Sequence, residues 1–268
     1  RDLHKEYRRQ RQMCIRDSLK GLDAYNEHLT AKGIVYARSM YNIQHTVTPN
    51  DGILEVELEC IRPDMEIHYT TDGSEPTATS PLYEKIVPVK EALTLKGATF
   101  AHGRQMGKTL ILPVRWNLAT AKPVLGTNPT EKLLTNGIRG SLKYSDFEWC
   151  SWADNDSVSF TIDLLKPEML NTLTLGCITN NGMAIHKPAS VRVEVSDDNS
   201  KFREAVVQSF TSEEIFREGN FIENLSLKLG GIQGRYVRVT AKGPGVCPAS
   251  HVRPGQTSRI FFDEVMLE

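Results

Sequence analysis

The chain has 268 residues, and its 32 lysines and arginines nearly balance its 33 aspartates and glutamates, for a net charge of −1. Folded domains usually span about 100–150 residues, so this length predicts one or two of them. The balanced charge argues against a broadly basic nucleic-acid-binding protein and against an intrinsically disordered one. We therefore expect a folded protein without a nucleic-acid partner.

Residues 1–45 predict the tail of a helical domain. Apolar side chains recur there at helical spacing, and Gly33 supplies a C-terminal stop. The apolar positions are Leu19, Leu22, Tyr25 and Leu29. One helix has nothing in this segment against which to bury its apolar face, so we expect it to pack on a domain upstream in a longer chain. Residues 13–18 resemble a translated sequencing adapter, so the residues before about 19 are expected to be artefactual.

Residues 46–118 predict a small β-sandwich. Leu54, Val56 and Leu58 alternate with glutamates, which is the pattern of a half-buried strand. Further short strands are expected at residues 67–70, 87–89 and 93–95. Turn signals separate these runs every 8–12 residues or so, as is typical of a sandwich built from short antiparallel strands.

Residues 119–268 predict a second and larger sandwich. Small residues and Pro123 mark the boundary at 119–123, after which the alternation of strands returns. The strands are expected at residues 158–164, 173–175, 191–195, 225–229, 236–239 and 260–267, with a helical turn at 212–216. Helices do not alternate with these strands, which excludes a doubly wound α/β fold. The predicted fold class is all-β, with a jelly roll following the small sandwich.

Sequence motifs for catalysis do not stand out in this chain. Gly107, Lys108 and Thr109 match the end of a phosphate-binding loop, but the glycine required five residues earlier is replaced by His102. A nucleophile elbow of the Gly-x-Ser-x-Gly type is also absent from the sequence. We therefore assign no catalytic residue to this chain.

The cysteine spacing and the distribution of apolar residues indicate whether the chain forms disulfides, enters a membrane or carries a signal peptide. Five widely spaced cysteines without a Cys-x-x-Cys pair predict buried free thiols rather than disulfides or a zinc ribbon. A run of 18 apolar residues does not occur, so membrane insertion is not expected. Residues 1–6 lack the apolar segment of a signal peptide, and the chain starts without Met, as a piece of a longer protein would.

Residues 67–76, with the sequence IHYTTDGSEP, resemble the signature of the small C-terminal β-domains of chitobiases and β-hexosaminidases. Residues 80–83 and 95–100, with Gly103, fit the later part of that pattern. These fibronectin-III-associated domains are mostly spacers. The resemblance therefore implies that residues 46–118 form a spacer.

Residues 124–268 resemble the discoidin, or coagulation factor 5/8 type C, fold that is grouped with carbohydrate-binding module family 32. The matching blocks, in chain order, are residues 133–137 with 139–141 and Trp149, then residues 160–164, 186–198, 234–239 and 261–265. This resemblance implies that residues 119–268 form a carbohydrate-binding sandwich. It also implies one structural calcium ion, with Asn136 in place of the usual Asp and Glu264 retained as ligands.

Sugar contact in this fold comes from loops at one end of the sandwich, and a sugar needs an aromatic face and strong hydrogen-bond donors. We expect Trp149 to pack in the core and Trp152 to be the exposed aromatic platform. The loop at residues 243–256 is long enough to suggest function, although a purely structural loop is equally compatible with it. The predicted sugar-binding residues are Trp152, His186, His251 and Arg253.

Residues 29–37 resemble the last helix and exit of a glycoside hydrolase family 20 barrel. Together the three segments are similar to the C-terminal half of bacterial β-N-acetylhexosaminidases, whose Asp-Glu catalytic pair lies on barrel strands outside this chain. The resemblance implies a non-catalytic fragment that binds terminal galactose or N-acetylhexosamine, joined to an upstream catalytic barrel and located in the periplasm, on the cell surface or outside a bacterium. Two alternatives stay open: a surface adhesion protein, or accessory modules of another glycosidase or a sulfatase.

Overall fold

The computed structural model describes residues 39–152 and 157–268, together with Gly21, Tyr25, His28 and Lys32. Gly21, Tyr25 and His28 are helical and Lys32 lies in a turn. The rest of the predicted N-terminal helix, with its leucines and Gly33, lies outside the described residues. Within the described part of the chain, helices are too short or too polar to span a membrane.

The first sandwich consists of two small antiparallel sheets. A 3₁₀ turn (Ser39–Tyr41) precedes it, and β1 begins three residues before the predicted boundary. Its strands are β1 (Ile43–Asn50), β2 (Ile53–Cys60), β3 (Glu66–Thr70), β4 (Val87–Val89), β5 (Leu93–Ala101), β6 (Arg104–Gln105) and β7 (Leu110–Val114). One sheet has the order β1-β2-β4, and in the other β5 pairs with β3, β6 and β7. Leu54, Val56 and Leu95 are fully buried between the sheets, which confirms the predicted alternation.

The second sandwich contains seven strands and only short helical turns among the described residues. The strands are β8 (Val124–Leu125), β9 (Cys150–Ser151), β10 (Ser157–Asn180), β11 (Ser190–Ser196), β12 (Arg203–Ser209), β13 (Asn220–Lys242) and β14 (Phe261–Leu267). The helical turns are 3₁₀ segments at Glu131–Thr135 and Asn181–Met183, and the one-turn helix α1 at Ser212–Ile215. The strand order is β12-β11-β13-β10-β14-β9, with β8 paired to β10. The all-β prediction is confirmed.

Strands β10 and β13 bend in the middle and belong to both layers of the second sandwich. In one layer, the first half of β10 pairs with the second half of β13, which also pairs with β11. In the other layer, the second half of β10 pairs with the first half of β13 and also with β14. The register breaks between Asp163 and Glu168, where Leu165 has a φ of 69°. Arg235 donates two hydrogen bonds to Asp163 at 2.7 and 2.8 Å, which fixes this bend.

The bend brings several chain connections to the same end of the second sandwich. Ser157 pairs with Lys242, as does Ser190, while Asn180 pairs with Asn220. Ile185 forms a bridge with Arg259, and the ring of Phe216 packs on His186 and His251. These contacts bring the connections at residues 181–189, 210–219 and 243–260 together, and we call this the loop end. The predicted residues His186, His251 and Arg253 are all on these connections.

A buried ion pair attaches residues 137–140 to β14. Arg139 Nε donates to Asp263 Oδ2 at 2.6 Å, and the Gly140 N–H donates to the same oxygen at 3.0 Å. Asp263 is completely buried, and burial raises the pKa of its carboxyl although Arg139 lowers it. A Cβ at Gly176 would lie 1.9 Å from Asp263 Oδ1 and 2.5 Å from Arg139 Nη2. Only glycine therefore fits on the strand beside this pair.

The two sandwiches share a packed junction. Ala121 and Ile138, from the start of the second sandwich, are buried in the apolar core of the first. The Gly52 N–H donates to the Ala121 carbonyl at 2.8 Å, and His45 Nε2 lies 3.0 Å from Glu148 Oε1. Backbone hydrogen bonds and buried apolar side chains therefore fix the first sandwich against the second.

Replacing Arg139 with Met should lower the free energy of unfolding by about 3–5 kcal/mol, because it leaves the Asp263 carboxylate buried without its partner. Arg192→Met is the matched control, since Arg192 and its partner Glu204 are each about half exposed. That control should lower the free energy of unfolding by no more than about 1 kcal/mol. Urea unfolding followed by circular dichroism measures both values, and equal small losses would show that the buried pair does not hold this segment.

Candidate functional site

Three of the predicted sugar-binding residues meet at the loop end. His186 Nε2 lies 3.1 Å from His251 Nε2, and the backbone N–H of Arg253 donates to His251 Nδ1 at 3.0 Å. His186 is positioned by the backbone, since its N–H donates to the Arg259 carbonyl at 3.0 Å. The three residues thus form one connected group, although they come from two separate connections.

The two imidazole rings lie in the interior rather than on the surface. His186 is fully buried and His251 is 8% exposed. The ring of Phe216, just after α1, packs edge-on against both, with centroids 5.1 and 6.1 Å away. Burial, and then the neighbouring His251, lower the pKa of His186 to about 4. His186 therefore stays neutral at physiological pH and supports the loop end from within.

Arg253 lies on the surface of the same loop. Val252, Arg253 and Pro254 are exposed, and Arg253 Nη1 makes only a long 3.4 Å hydrogen bond to Gln256 Oε1. An exposed guanidinium retains donors for a hydroxyl-rich ligand. Of the predicted sugar-binding residues, Arg253 has the most accessible donors.

The sequence predicts Trp152 as an exposed aromatic platform, but the structure places its ring against the core. It is half-buried, and its ring stacks on Phe160 with centroids 6.1 Å apart and an interplanar angle of 13°. Its edge meets Phe262 at 5.7 Å. Because Phe160 and Phe262 belong to opposite layers, Trp152 fills the gap between them at the edge of the sandwich. Trp149 is 5% exposed, which confirms its predicted place in the interior.

The two predicted calcium ligands both accept hydrogen bonds from the backbone at residues 137–138. Glu264 is fully buried, and its Oε2 accepts the Gly137 N–H at 3.0 Å. Asn136 Oδ1 accepts the Ile138 N–H at 2.9 Å and keeps a second lone pair. Glu264 Oε1 has no well-formed hydrogen bond within the described residues, although the Asn117 side chain favours the charged carboxylate. Burial, and then Asp263, raise the pKa of Glu264 well above its usual value.

Two residues with no predicted role at the site, Cys247 and Phe147, are conspicuous in the structure. Cys247 is buried next to the His186–His251 pair. Phe147 is 88% exposed and has a φ of 70°, a left-handed conformation that is unfavourable for a bulky side chain. An apolar residue between Asp146 and Glu148 was a usable signal for Phe147. His251 follows Cys247 by four positions, but nothing in the sequence indicated that the distant His186 would lie beside both of them.

Cysteines elsewhere in the described chain are free, as expected. Cys150 and Cys177 are fully buried, whereas Cys60 is half-buried. Burial raises the pKa of the Cys150 thiol to about 12, and it also raises the pKa of Cys177. These two thiols therefore stay protonated within the core. Cys14 lies outside the described residues.

Comparison with known proteins agrees with both resemblances. Residues 49–110 match the family model of the chitobiase/beta-hexosaminidase C-terminal domain, and residues 119–252 match that of the F5/8 type C domain. A search of curated proteins found no match.

Solved structures similar to this chain include several carbohydrate-binding modules. CpGH89CBM32-6 of Clostridium perfringens is 18% identical, with a TM-score of 0.38, over 57% of this chain and 98% of its own. The family 32 carbohydrate-binding module of Streptococcus pneumoniae EndoD is 11% identical, with a TM-score of 0.39, over 57% and 99%. The C-terminal domain of a chitobiase from Bacteroides fragilis is 16% identical, with a TM-score of 0.30, over 49% and 76%.

The F5/8 type C match spans 134 of the 268 residues, since it runs from residue 119 to residue 252. It covers β8 to β13 and most of the loop end, which are the parts that give the second sandwich its bent strands and its clustered connections. Because this match covers half of the chain, the chain belongs to the F5/8 type C domain family.

Proposed function

We propose that this chain is the non-catalytic C-terminal part of a β-N-acetylhexosaminidase-like glycoside hydrolase, in which the second sandwich binds glycans. The observation that supports this most is the order of the two family matches, with a chitobiase/hexosaminidase C-terminal domain directly followed by an F5/8 type C domain. In such a protein an upstream catalytic barrel acts on the glycan. The site of action would be the periplasm, the cell surface or the medium of a bacterium.

The geometry of the loop end supports binding of a sugar at Arg253. The guanidinium is exposed, and the backbone from which it extends is anchored by the hydrogen bond from the Arg253 N–H to the buried His251 imidazole. A sugar hydroxyl accepts charge-assisted hydrogen bonds from such a group. Terminal galactose and N-acetylhexosamine are the proposed ligands.

The packed junction supports a role for the first sandwich as a rigid spacer. A shallow site holds a single sugar with a dissociation constant of about 1 mM, or about −4 kcal/mol. A barrel and a binding module fixed at a constant separation can engage one polymer together, which raises the apparent affinity without new contacts. The buried contacts of Ala121 and Ile138 support this for the junction between the two sandwiches.

Galactose or N-acetylglucosamine should shift the NMR signals of loop-end residues at millimolar concentration. Arg253→Ala should abolish these shifts and leave the melting temperature unchanged, because Arg253 is exposed. Arg192→Ala, an exposed arginine on β11, is the matched control and should retain them.

Other outcomes of this titration favour the alternatives. Shifts that survive Arg253→Ala would place the sugar elsewhere, with exposed Phe147 the next residue to test. Absence of shifts with either sugar would contradict the proposed ligand class and favour a surface adhesion protein. If NMR signals shift only with sugars that other glycosidases or sulfatases process, the modules would belong to such an enzyme.

Trp152→Ala should act on stability before it acts on sugar binding. Removing a ring that packs on Phe160 and Phe262 leaves a cavity between the layers, with an expected loss of about 2–4 kcal/mol. Thermal unfolding measures this loss, and Trp152→Phe should recover part of it. An unchanged melting temperature together with lost sugar binding would instead support the platform role inferred from the sequence.

We also propose that a calcium ion binds beside Glu264. The buried carboxylate with one weakly satisfied oxygen supports this, as does the spare lone pair of Asn136 Oδ1. Calcium is a hard cation that prefers such carboxylate and amide oxygens. Its charge would stabilise an anion that burial otherwise disfavours.

Millimolar calcium should therefore raise the melting temperature relative to chelator. A ligand at one hundred times its dissociation constant adds about 2.7 kcal/mol to the free energy of unfolding. Glu264→Gln should remove the calcium-dependent increase, because the amide cannot supply the negative charge. An identical melting temperature with calcium and with chelator would contradict calcium binding by the second sandwich.

A further inference from the structure

Three metal-ligating side chains meet inside the loop end. His186, Cys247 and His251 each offer one ligand atom, and these atoms all lie within 4.8 Å of one another. Their exposed fractions are 0%, 3% and 8%. Two imidazoles and a thiol form the ligand set of a transition metal, because soft sulfur and imidazole nitrogen both bind zinc well.

We propose that His186, Cys247 and His251 bind one zinc-class divalent transition-metal ion. This site is separate from the proposed calcium position, which uses oxygen ligands near Gly137. It also does not depend on the sugar-binding proposal, since no sugar contact is needed to form it. Three protein ligands leave the fourth position of a tetrahedral ion for a water molecule.

The ligand atoms need only a small movement to enclose an ion. Zinc bonds of about 2.0–2.3 Å in a tetrahedral site place neighbouring ligand atoms about 3.3–3.6 Å apart. The two Nε2 atoms are already 3.1 Å apart. Cys247 Sγ lies 3.3 Å from Ser258 Oγ, and because all three ligand atoms lie within 4.8 Å of one another, any two of them need to approach by no more than about 1.5 Å to reach zinc spacing.

Backbone hydrogen bonds place Cys247 and His251 where they can share an ion. The Cys247 N–H donates to the Gln256 carbonyl at 2.9 Å, and the Gly255 N–H donates to the Cys247 carbonyl at 3.0 Å. These bonds close the loop at its base, and the His251 N–H donates to the Pro248 carbonyl at 3.0 Å within it. The histidine therefore turns inward towards His186, while Arg253 at the tip stays outside.

Binding of the ion changes the protons in a defined way. His251 Nδ1 accepts the Arg253 N–H, so the neutral ring has its proton on Nε2 and donates it to His186 Nε2. Coordination through Nε2 moves that proton to Nδ1 and breaks the hydrogen bond from the Arg253 N–H. The Cys247 thiol releases one proton when its sulfur binds the ion. Metal binding therefore alters the base of the loop that presents Arg253.

The test uses the full chain, reduced and stripped of metal, with Zn²⁺ as the probe. We expect one Zn²⁺ per chain in competition with a chromophoric chelator, and a Co²⁺ complex that shows thiolate-to-metal absorption in the near ultraviolet. Cys247→Ser should weaken zinc binding by at least about 100-fold. Cys60→Ser, which removes a half-buried thiol outside the cluster, should leave zinc binding unchanged.

A second measurement keeps the proposal testable if the Cys247→Ser protein does not fold. In the wild-type chain, Zn²⁺ should protect Cys247 from alkylation while Cys60 stays reactive, as read by peptide mass spectrometry. The Arg253 amide signal should shift with Zn²⁺ and not with Ca²⁺. Three results would each overturn the proposed site. These are a zinc dissociation constant above about 0.1 mM, an equal loss of zinc binding in Cys247→Ser and Cys60→Ser, and alkylation of Cys247 that zinc does not slow.

Discussion

The Arg139–Asp263 ion pair is the contact on which the arrangement of the two sandwiches depends. It attaches residues 137–140 to β14, and that segment also places Ile138 in the core of the first sandwich. Gly176 leaves room for the pair, and Gly137 donates to the next buried carboxylate, Glu264. One short segment therefore connects the first sandwich, the edge of the second and the proposed calcium position. This connection is costly to break, because a buried charge cannot lose its partner at low cost.

The loop end is organised from the inside. The exposed tip at Arg253 contributes almost no apolar burial, so its position comes from backbone hydrogen bonds at the base and from buried His251. The same imidazole contacts His186 and Phe216. The exposed Arg253 tip and the buried His–Cys cluster are thus physically linked through His251, and under the proposed metal binding a change in the cluster would reach the surface through the Arg253 amide.

Alternation of apolar and polar residues predicted most of the fold. Strands with a regular period of two, such as β2 and β11, could be read directly, because one face of each is buried. Strand β1 was missed because His45 and Pro49 interrupt its pattern. The bend in β10 was missed because the alternation stops after Leu164 and returns only at Leu173, so the pattern predicted two separate strands. The partners of Trp152 and the approach of His186 to Cys247 depend on contacts between distant segments, which no local pattern encodes.

The shared strands β10 and β13 make the second sandwich indivisible. Neither layer can form alone, since each contains half of both strands, and the pairing of Ser157 with Lys242 joins residues 85 positions apart, the difference between 242 and 157. Such distant pairings must close long loops before they gain any stabilisation, so folding of this architecture is slow, in the range of milliseconds to seconds. The loop-end connections therefore come together only when both halves of β10 and β13 have paired, and a partly folded chain would leave the edges of both layers open to pairing with another chain.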